Sequence, residues 1–215
     1  MKLQNLKSKI QNFHQIMKIV TNILIASLAF FTASQAAVKT GAPAPKFTVT
    51  DSTGAEHSLS DFKGKYVVLE WTNHTCPFVK KFYNNGEMQA LQLEMTAKDV
   101  VWLQVLSSAE GKSGYLTASN AESMRTKQKV HSTALLLDAN GKIGRAYGAR
   151  TTPHMFLIDP DGTVIYQGAI DSIKSANSQD IAAATNYVKA AYASAIVGES
   201  IQKSTTTPYG CGVKY

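Results

Sequence analysis

Tyr66-Val67-Val68-Leu69-Glu70-Trp71-Thr72-Asn73-His74-Thr75-Cys76-Pro77-Phe78-Val79-Lys80-Lys81 is the stretch whose reading decides the fold. Its first half is β-branched and aromatic, and short enough for a buried strand. Its second half reads as a helix starting at Pro77, because a proline in the first helical position gives up an N–H that has no partner there. Cys76 therefore falls where the strand has ended and the helix begins. Backbone N–H groups and the positive end of the helix dipole favour an anion at that place, so a thiolate is stabilised. A lone cysteine is more often a small buried core residue. The strand–turn–helix position, with proline directly after, weighs toward redox chemistry.

Outward from this stretch, the N-terminus reads as a secretory signal peptide over residues 1–36. Lysines precede an apolar run of 15 residues, Ile19 to Ala33, and Ser34-Gln35-Ala36 offers small residues for cleavage near Ala36. The run is shorter than the roughly 20 residues that a membrane span needs. Met17 is an alternative start, since residues 1–16 are long and polar for such a peptide. Export to a Gram-negative periplasm is the expectation, with contact to the membrane only through the signal peptide.

The chain of 215 residues carries a formal charge of +7, but Lys2, Lys7, Lys9 and Lys18 stand before residue 36 with no acid among them. The remaining 18 basic and 15 acidic residues are scattered, which argues against a nucleic-acid partner. Two cysteines, Cys76 and Cys211, in an oxidising compartment allow one pairing. A stabilising bridge that ties the tail to the domain and a redox pair with Cys211 as the resolving thiol are both consistent with the sequence.

Further along, Phe47–Asp51 reads as a strand and His57–Lys65 as a second short strand and a polar turn, together an N-terminal hairpin, and Val100–Leu106, Thr133–Asp138, Met155–Ile158 and Thr163–Gly168 read as strands. Helices are expected from Pro77 to about Ala97, interrupted at Asn84-Asn85-Gly86, and over about Ala118–Lys127 and Asp180–Ile196, with a short helix or turn at Gly141–Tyr147. Residues 37–200 then form one α/β domain with a central mixed sheet flanked by helices, and residues 201–215 a loop-like tail that carries Cys211.

The set Gly41-Ala42-Pro43-Ala44-Pro45, the Cys76-Pro77-Phe78-Val79 turn, Leu135-Leu136-Leu137-Asp138 and Thr152-Pro153-His154-Met155-Phe156 resembles the redoxin branch of the thioredoxin fold. It is similar to the alkyl hydroperoxide reductase/thiol-specific antioxidant family, and nearest to its peroxiredoxin-like members, over about residues 41–196. The resemblance implies a thioredoxin-like fold, no cofactor, and Cys76 as the reactive thiol. It matches Thr152-Pro153 to the cis-proline that faces that thiol, and leaves the Thr152 backbone free to pair with a substrate chain. The substrate it implies is a peroxide or a protein disulfide, with an exported thiol as reductant. The chain departs from the pattern: Asn73 and Val79 stand where a C-x-x-C partner would be, and Leu69 and Asn73 replace the residues of the peroxidase motif.

The arginine such peroxidases place near Pro153 has only Arg150 as a counterpart, and the sequence leaves open whether it turns inward or lies on the surface. His74 and His154 are candidates for tuning the thiol or passing a proton. With Cys76 they also form an alternative Cys/His₂ metal set, although such chaperones carry a cysteine pair that this chain lacks. Trp71, Phe78 and Tyr83 read as core or pocket wall.

Overall fold

The computed structural model describes residues 37–215 and His14. The expected signal peptide, residues 1–36, otherwise lies outside the described residues. Among those described, no helix is long and apolar enough to cross a membrane.

Strands β1 (Thr48–Thr50) and β2 (Glu56–Ser58) form the expected N-terminal hairpin. The second strand is short, and the polar turn expected after it begins at once. Leu59–Phe62 turns as a 3-10 helix, fixed by reciprocal hydrogen bonds between Ser58 and Asp61. A five-stranded sheet follows in the order β5 (Ala134–Leu137), β4 (Val101–Leu106), β3 (Val67–Trp71), β7 (His154–Ile158), β8 (Val164–Gly168). β3, β4 and β5 run parallel, and β7 and β8 are antiparallel additions. This is the mixed sheet flanked by helices that the resemblance implied.

Side-chain alternation along β3 separates two cores. Val67, Leu69 and Trp71 join Leu103, Leu136 and Phe156 on one face, where α4 (Lys142–Tyr147) packs through Ile143 and Tyr147. Val68 lies on the opposite face with Trp102, Met155 and Leu157. There α1 (Pro77–Tyr83), α2 (Glu87–Thr96) and α5 (Tyr187–Ile196) contribute Val79, Phe82, Met88, Leu91, Met95 and Val188. α3 (Ala118–Lys127) closes the edge through Ala121. Each large apolar side chain buried here contributes about 1.5–3 kcal/mol.

The interruption expected at Asn84-Asn85-Gly86 is a full break: Gly86 has φ +83°, and α1 and α2 are separate helices. The C-terminal helix is shorter than its amphipathic pattern. Asn186 caps it by accepting from Lys189 N at 3.0 Å, and Ser178–Ala183 is a 3-10 turn instead. The tail is loop-like, as expected, apart from one short strand. Cys211–Gly212 forms β9, antiparallel to β6 (Thr151–Thr152), and belongs to the compact unit Ala36–Tyr215.

A carboxyl group lies inside the second core. Glu70 on β3 is fully buried and accepts hydrogen bonds from Tyr83 Oη (2.7 Å), Trp102 Nε1 (2.8 Å) and Gln92 Nε2 (3.1 Å). Burial raises its pKa from 4.5 to about 7, against the lowering effect of these donors. The folded state therefore holds its proton more tightly than the unfolded chain does. The stability that this proton contributes is complete below pH 4.5 and is lost as pH rises toward 7. Urea titrations of wild type should show stability falling over that window by about 3 kcal/mol from this group. In Glu70→Gln that slope should be absent, and an unchanged slope would assign it to another group.

Candidate active site around Cys76 and Cys211

Register in the sheet sets the site. Trp71 at the end of β3 lies opposite His154 at the start of β7, so the chain after β3 and the chain before β7 meet at one end of the sheet. Asn73 shapes the first of these segments. Its Oδ1 accepts from Thr75 N (2.9 Å) and Thr75 Oγ1 (2.7 Å), its Nδ2 donates to Ser113 O (3.1 Å), and its carbonyl accepts from Cys76 N (3.0 Å). The residue that stands in place of a nearby second cysteine thus builds the turn. Cys76 is the N-cap of α1 with Pro77 at the helix start, and its carbonyl accepts from Val79 N (3.1 Å) and Lys80 N (2.9 Å).

From the other side comes Thr152-Pro153, whose peptide bond is cis, as the resemblance implied. The Cys76 thiol donates to the Thr152 carbonyl at 3.1 Å. Thr152 is also paired with Cys211 across the β6–β9 ladder, so its backbone is taken by the chain's own tail. This corrects the expectation that it stands free for a substrate strand. Gly210 permits the approach: its φ is +132°, and a Cβ there would collide with the Thr152 carbonyl oxygen.

Both cysteines are free thiols, Cys76 buried and Cys211 half-buried. Burial opposes ionisation of Cys76. Hydrogen bonds from the Cys211 thiol, Thr152 and the backbone N–H groups of Cys211 and Val79 outweigh it, and the Cys76 pKa lies below the ordinary thiol value. The Thr152 carbonyl, as an acceptor, favours the neutral thiol, but the donors around the sulfur outnumber it. Cys211 responds in the opposite sense. Burial first, then the hydrogen bond to Cys76 and its charge, push it up to about 11. The pair therefore loses its first proton from Cys76 and keeps the second on Cys211.

The other sequence candidates sit around this pair without joining it. His154 is buried against Phe156, and its Nδ1 accepts from Arg150 N at 3.3 Å. Burial and the Arg150 charge lower its pKa to about 3, so it is a neutral structural ring and not a proton source. Arg150 is exposed, and its carbonyl receives Val213 N at 3.1 Å. It does not turn inward. His74 lines a polar groove with Tyr83, Gln89 and Lys127, and Cys76 is not among the groove's lining residues. Burial, then Lys80, lowers the His74 pKa. The alternative metal set of His74, Cys76 and His154 is not assembled: among the described residues no group of three or more His, Cys, Asp or Glu side chains could hold a metal ion.

Sequence reasoning missed the cluster that anchors the tail. Lys81 on α1 is buried and pairs with Asp171 at 2.8 Å. It also donates to Ile173 O (3.2 Å) and Tyr209 Oη (3.5 Å). Tyr209 donates to the Asp171 carboxylate, and its ring packs on Phe78, centroids 5.8 Å apart. Tyr209 lies two residues before Cys211. One signal was legible: Lys81 stands beside Phe82 and one turn from Phe78, on an otherwise apolar stripe. A lysine there requires a buried carboxylate.

The geometry makes Cys76 ionisation depend on its neighbour. In Cys211→Ala, the pH midpoint for alkylation of Cys76 by iodoacetamide, read at the peptide level by mass spectrometry, should rise above the wild-type value. A midpoint that stays or falls would remove Cys211 as the group that stabilises the thiolate.

The AhpC/TSA family model matches residues 40–167. Curated relatives include the thiol-disulfide oxidoreductase ResA of Geobacillus thermodenitrificans (strain NG80-2), 25% identical over 158 residues, covering 68% of this chain and 81% of the relative. ResA of Bacillus thuringiensis subsp. konkukian (strain 97-27) is 27% identical over 145 residues, 64% of this chain and 73% of the relative. Among solved structures, a conserved protein from Geobacillus kaustophilus superposes with a TM-score of 0.72 at 22% identity, covering 82% of this chain and 92% of that one. A protein from Sinorhizobium meliloti 1021 gives 0.70 at 19% identity, covering 83% and 96%. These two likenesses concern the fold. The chain belongs to the AhpC/TSA family, and it is a thiol-dependent oxidoreductase of thioredoxin-like fold.

Proposed function

We propose that Cys76 and Cys211 are a redox pair, and that the chain is an exported oxidoreductase that interconverts their dithiol and disulfide forms. The observation that carries this reading is the β6–β9 pairing. It sets Cys211 against Thr152, the residue whose carbonyl holds the Cys76 thiol, and the Cys211 thiol is among the groups that lower the Cys76 pKa.

The Cys76 thiolate attacks one sulfur of a small disulfide. The substrate S–S bond breaks, one half leaves as thiolate, and the other stays on Cys76 as a mixed disulfide. Cys211 then loses its proton and attacks the Cys76 sulfur, which releases the second half and closes the Cys76–Cys211 bridge. Thr152 positions both sulfurs, with Pro153 holding its loop and Pro77 starting the helix under Cys76. The relatives named as thiol-disulfide oxidoreductases support exchange as the reaction.

A peroxide reaction draws its support from the family alone. There the thiolate would take one oxygen to give a sulfenic acid, which Cys211 would condense to the same bridge with loss of water. The outward position of Arg150 favours exchange over this route. Export is supported by the lysines, apolar run and small-residue site of residues 1–36, and by a compact unit that begins at Ala36.

Oxidation of the reduced chain by one equivalent of a small disulfide should give an intramolecular bridge, seen as a loss of two hydrogens and as a Cys76–Cys211 cross-linked peptide. Cys211→Ser should stop at the mixed disulfide on Cys76, and Cys76→Ser should react at least tenfold more slowly. Equally fast consumption of the small disulfide by Cys76→Ser would sink the assignment. Expression in a Gram-negative cell should yield a mature N-terminus near Ala37; an intact N-terminus would count against export.

A further inference from the structure

The tail occupies the backbone of Thr152, so a substrate chain that reaches Cys76 must be held somewhere else. The other flank of the Cys76 turn offers a place. His74, two residues before Cys76, lines an open groove of about 750 Å³ bounded by residues of α1, α2 and α3. That volume lies within the range of ligand-binding pockets. Gln89 forms its wall on the α2 side, and Asn120, Ser123, Lys127 and Lys129 form it on the α3 side.

The charge in this groove has one sign. No aspartate or glutamate lines it, and among the described residues neither Lys127 nor Lys129 is in an ion pair. Glu122, the acid on α3, is engaged by Arg125 and Ser52 instead. Lys129 follows the C-cap of α3 with φ +53°, a conformation that glycine or asparagine adopts there at least cost. A lysine stands there against that preference and adds its charge to the groove wall.

Two polar atoms of the lining residues, Gln89 Oε1 and His74 Nδ1, are enclosed and have no partner. Gln89 Nε2 donates to Tyr83 O (3.0 Å) and Gln128 O (2.8 Å), which fixes the amide and leaves Oε1 an acceptor without a donor. An enclosed acceptor in that state is costly, and an N–H group entering the groove relieves it. Cations for carboxylates and an acceptor for N–H together match an acidic peptide.

We propose that this groove is a substrate-specificity site, and that it holds an acidic peptide segment beside the disulfide that Cys76 attacks. The proposal rests on the redox-pair reading above and names the substrate class for it. Peptide N–H groups meet Gln89, and side-chain carboxylates meet Lys127 and Lys129. The chemistry at sulfur is the same: Cys76 bonds to one substrate sulfur, the substrate S–S bond breaks, and the other half leaves as thiolate. The groove supplies binding only.

The test mixes the reduced full chain with the symmetric disulfide of acetyl-Asp-Asp-Cys-amide, or of its isostere acetyl-Asn-Asn-Cys-amide, and times release of the thiol peptide by mass spectrometry. At low salt and low peptide concentration the Asp peptide should react roughly five- to tenfold faster, through a lower half-saturating concentration. The Asp-to-Asn ratio should fall toward one in Lys127→Gln/Lys129→Gln, persist in Lys127→Arg/Lys129→Arg, and shrink at high salt. Equal rates in wild type, or a ratio that survives loss of both lysines, overturn the proposal. So does an equal preference for dithiodipropionate over its diamide, because a carboxylate beside the sulfur would then account for the effect without the groove. Acetyl-Asp-Asp-Ser-amide, which cannot exchange, should bind wild type several-fold more tightly than the double Gln variant in an NMR titration. Such binding without any exchange overturns the redox-pair reading and leaves the groove standing, whereas exchange without discrimination overturns this inference alone.

Discussion

The backbone of Thr152 is held from two directions, and the site exists only where both meet. Its carbonyl takes the Cys76 thiol at 3.1 Å, and its strand position pairs with Cys211. One residue thus fixes both sulfurs. The remainder of the fold serves to deliver these partners. The β3–β7 register brings the Cys76 turn to Thr152 from the sheet side, and the tail brings Cys211 from the edge. In a thioredoxin-like chain with two cysteines on one helix turn, local geometry alone would keep the thiols together. Here they are 135 positions apart in sequence, and tertiary packing must do it.

That requirement gives the buried Lys81–Asp171 pair its place. Burying two charges costs several kcal/mol per ion before their attraction is counted, so such a pair is weak as a source of net stability. Its value lies in specificity. Removing one partner leaves a buried charge uncompensated, at a cost of about 3–5 kcal/mol, so the cluster tolerates one arrangement only. Tyr209 completes that arrangement from the tail. The position of Cys211 is therefore tied to a strict electrostatic condition on α1, the helix that begins at the other cysteine.

The fold was largely legible in the sequence, and the site only in part. Hydrophobic runs gave β3, β4, β5 and β7 because parallel and central strands are buried on both faces and read as continuous apolar segments. The Cys76 turn and Thr152-Pro153 were legible through the resemblance. The tail was not. β9 is two residues long, Cys211 and Gly212, and carries no alternation that periodicity could detect. Its pairing is set by anchors such as Tyr209 and Tyr215, which reach residues far away in the chain. The same blindness made His154 look available. Whether a histidine beside a strand titrates depends on burial by segments distant in sequence, and here burial dominates.

A dithiol built in this way shares its protons unevenly. The donors around Cys76 favour its anion, and the hydrogen bond that Cys211 gives makes Cys211 itself harder to ionise. Over the range between the two values the reduced pair holds one proton, on the tail, and one negative charge, at the helix start. Everything that stabilises this anion stabilises the reduced form relative to the bridge, since the bridge has no charge to stabilise. On the redox-pair reading proposed above, this makes the pair a better oxidant than two ordinary thiols at the same separation. The close approach of the tail opposes this, because it raises the effective concentration of Cys211 at Cys76 and so favours the bridge. Tail anchoring and thiolate stabilisation thus act on the same potential with opposite signs. Both run through the Cys211–Thr152 pairing, so displacing β9 weakens both at once.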